Sequence, residues 1–86
     1  MVLSRLRWSC RRGMLELDVL LGNFLEEAYV TLSPEDQAIF VELLARNDQE
    51  LFYWLTGQEK ASNPILAIMV EKIRHHAKNR KPAASF

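Results

Sequence analysis

The amino-acid sequence predicts an all-α protein, a compact bundle of about five helices. Apolar residues recur at spacings of three and four along most of the chain, which is the period of an amphipathic helix. The chain has three glycines and three prolines, and most of them fall between the periodic segments. No run of alternating β-branched residues indicates a strand, and 49% hydrophobic residues are enough for one core.

The first two helices are predicted on either side of Gly13. Leu3, Leu6 and Cys10 share one helical face of a short first segment. That helix is expected to end near Arg12, with Gly13 in the C′ position after it. A second helix follows, and its apolar residues repeat at intervals of three and four: Leu17, Leu20, Leu21, Phe24 and Ala28.

Capping residues and prolines mark the last three helices. Ser33 is the expected N-cap of the third helix, with Pro34 as its first residue. Asp48 is expected to cap a short fourth helix that Gly57 ends, and Asn63 precedes the proline that starts the fifth. The residues predicted to face the core are Ile39, Phe40, Leu43 and Leu44, then Leu51, Trp54 and Leu55, and finally Ile65, Ile68, Met69 and Ile73.

The length of 86 residues predicts one domain, residues 1–77, followed by a flexible basic tail at residues 78–86 that has no periodicity. The longest apolar run, Ile65 to Val70, is six residues. A membrane-spanning helix needs about 20. The single cysteine permits no internal disulfide. We therefore expect a cytoplasmic protein without membrane insertion.

The net charge is zero, but the charge is unevenly distributed along the chain. Residues 1–13 carry +4, residues 14–59 carry −9 and residues 60–86 carry +5. An acidic body with basic ends argues against a nucleic-acid binder, which would present a basic face. The pattern suits a protein partner that itself carries charges of both signs.

The spacing Arg12-Gly13-x-x-Glu16 is the strongest sign of a binding surface. Arg12 offers a rigid fork for carboxylates or carbonyls, and Glu16 lies close enough to orient it on a helix. Gly13 permits close approach of another backbone or a positive φ. The residues predicted to bind a partner are Arg5, Trp8, Arg11, Arg12, Gly13, Met14, Glu16 and Asp18.

The sequence contains no pattern that indicates catalysis. No nucleophile and base stand at a useful spacing, and no Gly-rich loop could cradle a phosphate. His75 and His76 are adjacent on a helix and diverge by about 100°, which makes them a poor metal pair. Cys10 is expected to be a small buried hydrophobe. We therefore predict no enzyme activity, no metal and no tightly bound cofactor.

Three blocks of sequence carry a resemblance to a known family. They are Trp8-x-Cys10-Arg11-Arg12-Gly13-Met14-x-Glu16-Leu17-Asp18, Leu32-Ser33-Pro34-Glu35 and Asp48-x-x-Leu51-Phe52-x-Trp54-Leu55. With these blocks the chain resembles the SdhE family, also called YgfY, of small succinate dehydrogenase assembly factors, from about Arg5 to about Arg74. One departure is Leu15, where some relatives have a polar or charged residue.

The resemblance implies a function in flavoprotein assembly. Members of the family are five-helix proteins that bind the flavoprotein subunit of succinate dehydrogenase, and in some bacteria that of fumarate reductase. They promote covalent attachment of FAD to a histidine of that subunit, without catalysis of their own. By similarity, Arg12, Gly13 and Glu16 carry the functional motif. An antitoxin-like or regulatory adaptor for a different protein is the alternative, because members have carried an antitoxin label.

Overall fold

Five α-helices and one short 3₁₀ turn make up residues 2–80, the part of the chain that the computed structural model describes. The all-α prediction is confirmed, and there is no strand within these residues. The helices are α1 (Val2–Ser9), α2 (Leu15–Glu27), α3 (Pro34–Leu44), α4 (Asp48–Leu55) and α5 (Pro64–Asn79), with the 3₁₀ turn at Tyr29–Thr31.

Local hydrogen bonds define the starts of α3 and α5, as the sequence predicts. The Ser33 hydroxyl accepts a hydrogen bond from the backbone N–H of Asp36 at 3.1 Å. The Asn63 side chain accepts from the N–H of Ile65 at 2.8 Å. At the other end of α4, Gly57 has φ +84°, the left-handed conformation that commonly follows a helix. These helix ends are determined by residues close to them in sequence.

The start of α4 differs from the prediction by one residue. Asn47 is the N-cap, because its side-chain oxygen accepts a hydrogen bond from the N–H of Glu50 at 2.8 Å. Asp48 is the first residue of the helix and does not cap it. The Asp48 carboxylate is therefore available for a contact outside α4.

Helix α5 is at the centre of the bundle, since it packs against α2, α3 and α4. The buried core takes residues from every helix, while Leu20, Ala28 and Ile39 pack against it only partly buried. The radius of gyration is 12.3 Å, near the value of about 12 Å for a compact chain of this length. The core side chains of helices α2 to α5, in order, are Leu17, Leu21, Phe24 and Leu25, Phe40, Leu43 and Leu44, Leu51, Trp54 and Leu55, and Leu66, Met69, Val70 and Ile73.

The inward face predicted for α5 is wrong at two positions. Ile65 and Ile68 are exposed, and Leu66 and Val70 are buried in their place. Buried positions at 66, 69, 70 and 73 follow the helical period, whereas residues 65 and 68 lie on the neighbouring flank. The sequence is apolar on both flanks, so periodicity alone could not choose between them.

The boundaries at the two ends of the chain also differ from the prediction. Helix α1 ends at Ser9 rather than near Arg12. Helix α5 continues through Asn79, so the tail predicted from residue 78 is wrong for residues 78–79. Residues 81–86 and the side chain of Leu3 lie outside the described part. Among the described helices, none is long and apolar enough to cross a membrane.

Candidate functional site

The Arg-Gly loop, residues 10–14, joins α1 to α2 and contains the most distinctive sequence of the chain. Gly13 has φ +80°, a conformation that side chains other than glycine rarely adopt. Because α1 ends four residues earlier, Gly13 is not the C′ residue predicted from the sequence. It turns the chain into α2. A Cβ built on Gly13 meets no atom within 4 Å, so the space above it is open.

Asp18 holds this loop against α2. One carboxylate oxygen of Asp18 accepts a hydrogen bond from the backbone N–H of Arg12 at 2.6 Å. Met14, just before α2, is half-buried and packs against the core. The loop is therefore anchored on both sides of Gly13. Both anchors were predicted as partner contacts, and each has a contact inside the protein.

The Arg12 side chain turns into the protein rather than toward solvent. One terminal nitrogen donates a hydrogen bond to the carbonyl of Leu44, the last residue of α3. The other lies 3.4 Å from a carboxylate oxygen of Asp48, and only 17% of the side chain is exposed. The pairing of Arg12 with Glu16 that the sequence suggested is therefore wrong. The guanidinium lies instead at the corner between α3 and α4.

Glu16 remains exposed in the first turn of α2, and no ion pair of Glu16 occurs within residues 2–80. A carboxylate at the start of a helix is favourably placed against the helix dipole. Glu16 and Gly13 are thus the two parts of the Arg-Gly-x-x-Glu signature that an approaching protein could reach.

A shallow groove of about 710 Å³ runs between α1 and α2, next to the Arg-Gly loop. Trp8 on α1 and Leu15 on α2 line it, with 73% and 80% of their surface exposed. Val19 lies one turn beyond Leu15 and is also exposed. We call Trp8, Leu15 and Val19 the exposed apolar patch. Clustered exposed apolar side chains of this kind mark interaction surfaces.

The basic residues of α1 and the Arg-Gly loop differ in what they contact within residues 2–80. Arg7 forms two hydrogen bonds with Glu26 of α2, at 2.5 and 3.2 Å. The hydrogen bond from Arg7 lowers the pKa of the Glu26 carboxyl below its usual value. Arg5 is exposed, and the Arg11 guanidinium lies 5.9 Å from the centre of the Trp8 ring. Arg11 is therefore a cation that lies beside the exposed apolar patch.

Cys10 lies beneath the groove and is buried. Its thiol is 3.8 Å from the carbonyl oxygen of Leu21, to which it donates a weak hydrogen bond. Burial raises the pKa of the thiol to about 11, so it is protonated at neutral pH. Cys10 therefore packs as a small hydrophobe, as predicted. Within residues 2–80 no group of three or more metal-binding side chains occurs.

The structure brings most of the predicted partner-binding residues to one corner of the molecule. Trp8, Arg11, Gly13 and Glu16 are exposed there, while Arg12, Met14 and Asp18 are half-buried. Arg5 is exposed on α1. The predicted list omitted Leu15 and Val19, together with Gly22 and Asn23 on the groove wall. One signal was available. Leu15 and Val19 are apolar residues outside the buried stripe of their own helix, and they stand one turn apart.

Three comparisons with known proteins agree on the family to which this chain is similar. The family described as "Flavinator of succinate dehydrogenase" matches residues 4–77. The chain is 49% identical over 77 residues to the FAD assembly factor SdhE of Shewanella oneidensis, covering 90% of this chain and 94% of the relative. It is 50% identical over 66 residues to SdhE of Idiomarina loihiensis, covering 77% of this chain and 73% of that protein.

A solved structure agrees with these sequence matches. The solution structure of a UPF0350 protein superposes on this chain with a TM-score of 0.72 and 45% sequence identity. The match covers 87% of this chain and 80% of that one. The matched residues 4–77 contain the whole Arg-Gly loop and both walls of the groove. The chain therefore belongs to the family described as flavinator of succinate dehydrogenase.

Proposed function

We propose that this chain is an assembly factor that binds the flavoprotein subunit of succinate dehydrogenase and promotes covalent attachment of FAD to it. Family membership over residues 4–77 carries the proposal. Curated relatives that are about half identical over most of the chain are FAD assembly factors. The cytoplasmic location and the flavoprotein subunit of fumarate reductase as a second client remain predictions from the sequence.

The surface around the Arg-Gly loop suits the docking of another protein. The exposed apolar patch offers Trp8 and Leu15, which are large side chains that release bound water when a partner covers them. Arg11 and Glu16 supply charges of opposite sign beside the patch. A buried apolar centre with charged residues around it is the usual anatomy of a protein interface.

In this proposal the chain binds the flavoprotein and favours one arrangement of it, and it supplies no reacting group. The bond between flavin and histidine forms within the flavoprotein, and the reactivity belongs to the flavin. Binding of the assembly factor favours the arrangement in which the histidine nitrogen lies against the flavin, which is a proximity effect. The buried, protonated state of Cys10 supports a helper role, because this thiol is not an available nucleophile.

A matched pair of variants tests the proposal. Leu15→Glu places a charge in the exposed apolar patch, and Ile68→Glu places the same charge at an exposed isoleucine of α5. A gene that encodes each variant replaces the chromosomal copy. Covalent flavin is then measured by fluorescence of the denatured flavoprotein subunit. Leu15→Glu should lower the covalent flavin at least tenfold, since a charge in an interface centre costs more than about 1.4 kcal/mol. Ile68→Glu should behave as wild type.

Two outcomes would contradict the proposal. Normal covalent flavin in a gene deletion would show that the chain has no role in flavin attachment. Capture of a small toxin rather than a flavoprotein by the tagged chain would support the adaptor alternative. An equal loss of covalent flavin in Leu15→Glu and Ile68→Glu would instead show that the exposed apolar patch has no special role in docking.

A further inference from the structure

An ion pair of the Arg12 side chain joins two of the three sequence blocks that carry the family resemblance. Arg12 belongs to the first block and Asp48 to the last, and the ion pair between them joins the Arg-Gly loop to the first turn of α4. Because Asn47 caps α4, capping does not account for Asp48. The contact with Arg12 gives Asp48 a separate role.

Arg12 is held from two sides by different parts of the fold. Its backbone N–H donates to Asp18 of α2, and its guanidinium donates to the Leu44 carbonyl at the end of α3. That carbonyl lies at the negative end of the α3 dipole, and the Asp48 carboxylate adds a full negative charge beside the same guanidinium. The Arg12 Nε atom is buried as well, so the guanidinium is largely withdrawn from solvent.

We propose that Arg12 is a positioning residue of the docking surface and does not itself bind the partner. Its contacts with Leu44 and Asp48 fasten the Arg-Gly loop to the α3–α4 corner. The fastened loop then presents Gly13 and Glu16 in a fixed arrangement. The effect on partner binding rests on the proposed function, whereas the fastening is a property of the isolated protein.

The contact requires arginine rather than any cation. The two terminal nitrogens of Arg12 reach two acceptors on different elements, the Leu44 carbonyl and the Asp48 carboxylate. A planar guanidinium presents both donors in a fixed geometry, while lysine has one nitrogen on a flexible stem. Arg12→Lys should therefore keep the charge and still release the loop.

The first test uses the isolated protein and its Gly13 amide. Asp48→Asn removes one acceptor of Arg12 but leaves Asn47 as the helix cap. The matched control is Asp36→Asn, because Asp36 also lies in the first turn of a helix and faces a cation of another element, Lys72 at 4.0 Å. Asp48→Asn should shift the Gly13 amide resonance. It should also speed the hydrogen exchange of the Arg12 amide, which donates to Asp18, about threefold to tenfold, the range typical of one coupled contact. Asp36→Asn should leave both unchanged.

The second test measures affinity for the flavoprotein subunit at a temperature where every variant is folded. Arg12→Lys and Asp48→Asn should each weaken binding about threefold to tenfold, and the double variant should be no weaker than the weaker single one. Ile73→Val, a mild change in the buried part of α5, controls for lost stability and should bind as wild type.

Each contrary result has a distinct meaning. Weakened binding in Arg12→Lys with wild-type binding in Asp48→Asn would overturn the proposal, because Arg12 would then contact the partner directly. An unchanged Gly13 amide in Asp48→Asn would overturn the fastening itself. Failure of the wild-type chain to bind the flavoprotein would refute the proposed function, and the amide test would still decide the role of Arg12.

Discussion

Gly13 has a backbone conformation that favours glycine, and the space above it is open. The φ of +80° disfavours any residue with a Cβ, yet a Cβ at this position would meet no other atom. The glycine is therefore required by conformation, and packing inside the protein adds no further constraint. Whether the partner also needs the open space is a separate question, which substitutions of different size can answer.

The conformational requirement predicts an order of stability among Gly13 variants. Gly13→Ala should lower the free energy of unfolding by about 1–2 kcal/mol, because alanine is strained at positive φ. Gly13→Asn should cost less, since asparagine tolerates the left-handed region better. Urea unfolding at neutral pH measures both. Equal stability of Gly13→Ala and wild type would show that the loop can change its φ without cost.

The open space predicts a second difference at the same residue. Gly13→Arg and Gly13→Ala share the backbone strain, but arginine adds a long side chain where the partner is expected to approach. Covalent flavin on the flavoprotein should therefore fall much further in Gly13→Arg than in Gly13→Ala. The comparison is valid if both proteins give the helical circular dichroism spectrum of the wild type. Similar covalent flavin in the two would remove Gly13 from the docking surface.

Cys10 gives a prediction on pH. Its thiol pKa rises from 9.0 to about 11 on folding because of burial. Because the thiol pKa is higher in the folded protein than in the unfolded chain, the buried thiol contributes to the free energy of unfolding. This contribution is complete below the unfolded pKa and is lost as the pH rises above it. Between pH 7 and pH 10 the wild type should lose about 1 kcal/mol more of its unfolding free energy than Cys10→Ala. Parallel urea titrations measure this, and identical losses would contradict a buried thiol.

At the scale of elements, Glu27 links the ends of α2 and α5. Its carboxylate accepts a hydrogen bond from Arg80 at 2.9 Å and lies 3.0 Å from a ring nitrogen of His76. Phe24 lies beside the same histidine, with 5.4 Å between ring centres. Helix ends fray unless something holds them, and this link holds the end of a helix that continues through Asn79.

Removal of that link should loosen the end of α5 without unfolding the bundle. Glu27→Gln should speed amide hydrogen exchange in the last turn of α5, because Arg80 loses its charged partner. The matched control is Glu71→Gln, which removes the pair between Glu71 and Arg74 within the same helix. The loss of stability should stay below about 1 kcal/mol, as is usual for exposed pairs. Equal exchange in the two variants would assign the helix end to apolar packing alone.

At the scale of the whole molecule, the oppositely charged segments of the chain form ion pairs with one another. Arg7 pairs with Glu26 and Arg12 with Asp48, so the basic N-terminal segment meets the acidic middle. The basic C-terminal segment meets it as well. Its pairs are Lys72 with Asp36 and Arg80 with Glu27. The charge pattern thus holds the ends of the chain to its centre, in addition to any role with a partner.

This arrangement predicts a stability that falls with salt. The pairs are mostly exposed, so mobile ions can screen them. Raising NaCl from about 0.01 M to about 1 M shortens the Debye length from about 30 Å to about 3 Å. The midpoint of thermal unfolding should fall over this range. An unchanged or rising midpoint would show that attraction between the segments does not contribute to stability.

The sequence by itself determined the class of fold, the number of helices and most of their ends. Helix period and capping are local properties, because the hydrogen bonds of Ser33 and Asn63 reach only two or three residues along the chain. The resemblance placed the docking surface at the Arg-Gly loop. That surface remains a prediction, and the structure adds Leu15 and Val19 to it.

Only the tertiary structure decided what each long side chain contacts. Arg12 could reach Glu16 one turn away, yet it contacts Leu44 and Asp48, which are distant in sequence. Likewise two apolar flanks of α5 compete for the core, and packing against α2, α3 and α4 selects the flank with Leu66. The physical reason is the same in both cases. A side chain binds the partner that the packed helices bring nearest, and the distances between helices follow from the whole core rather than from any one segment.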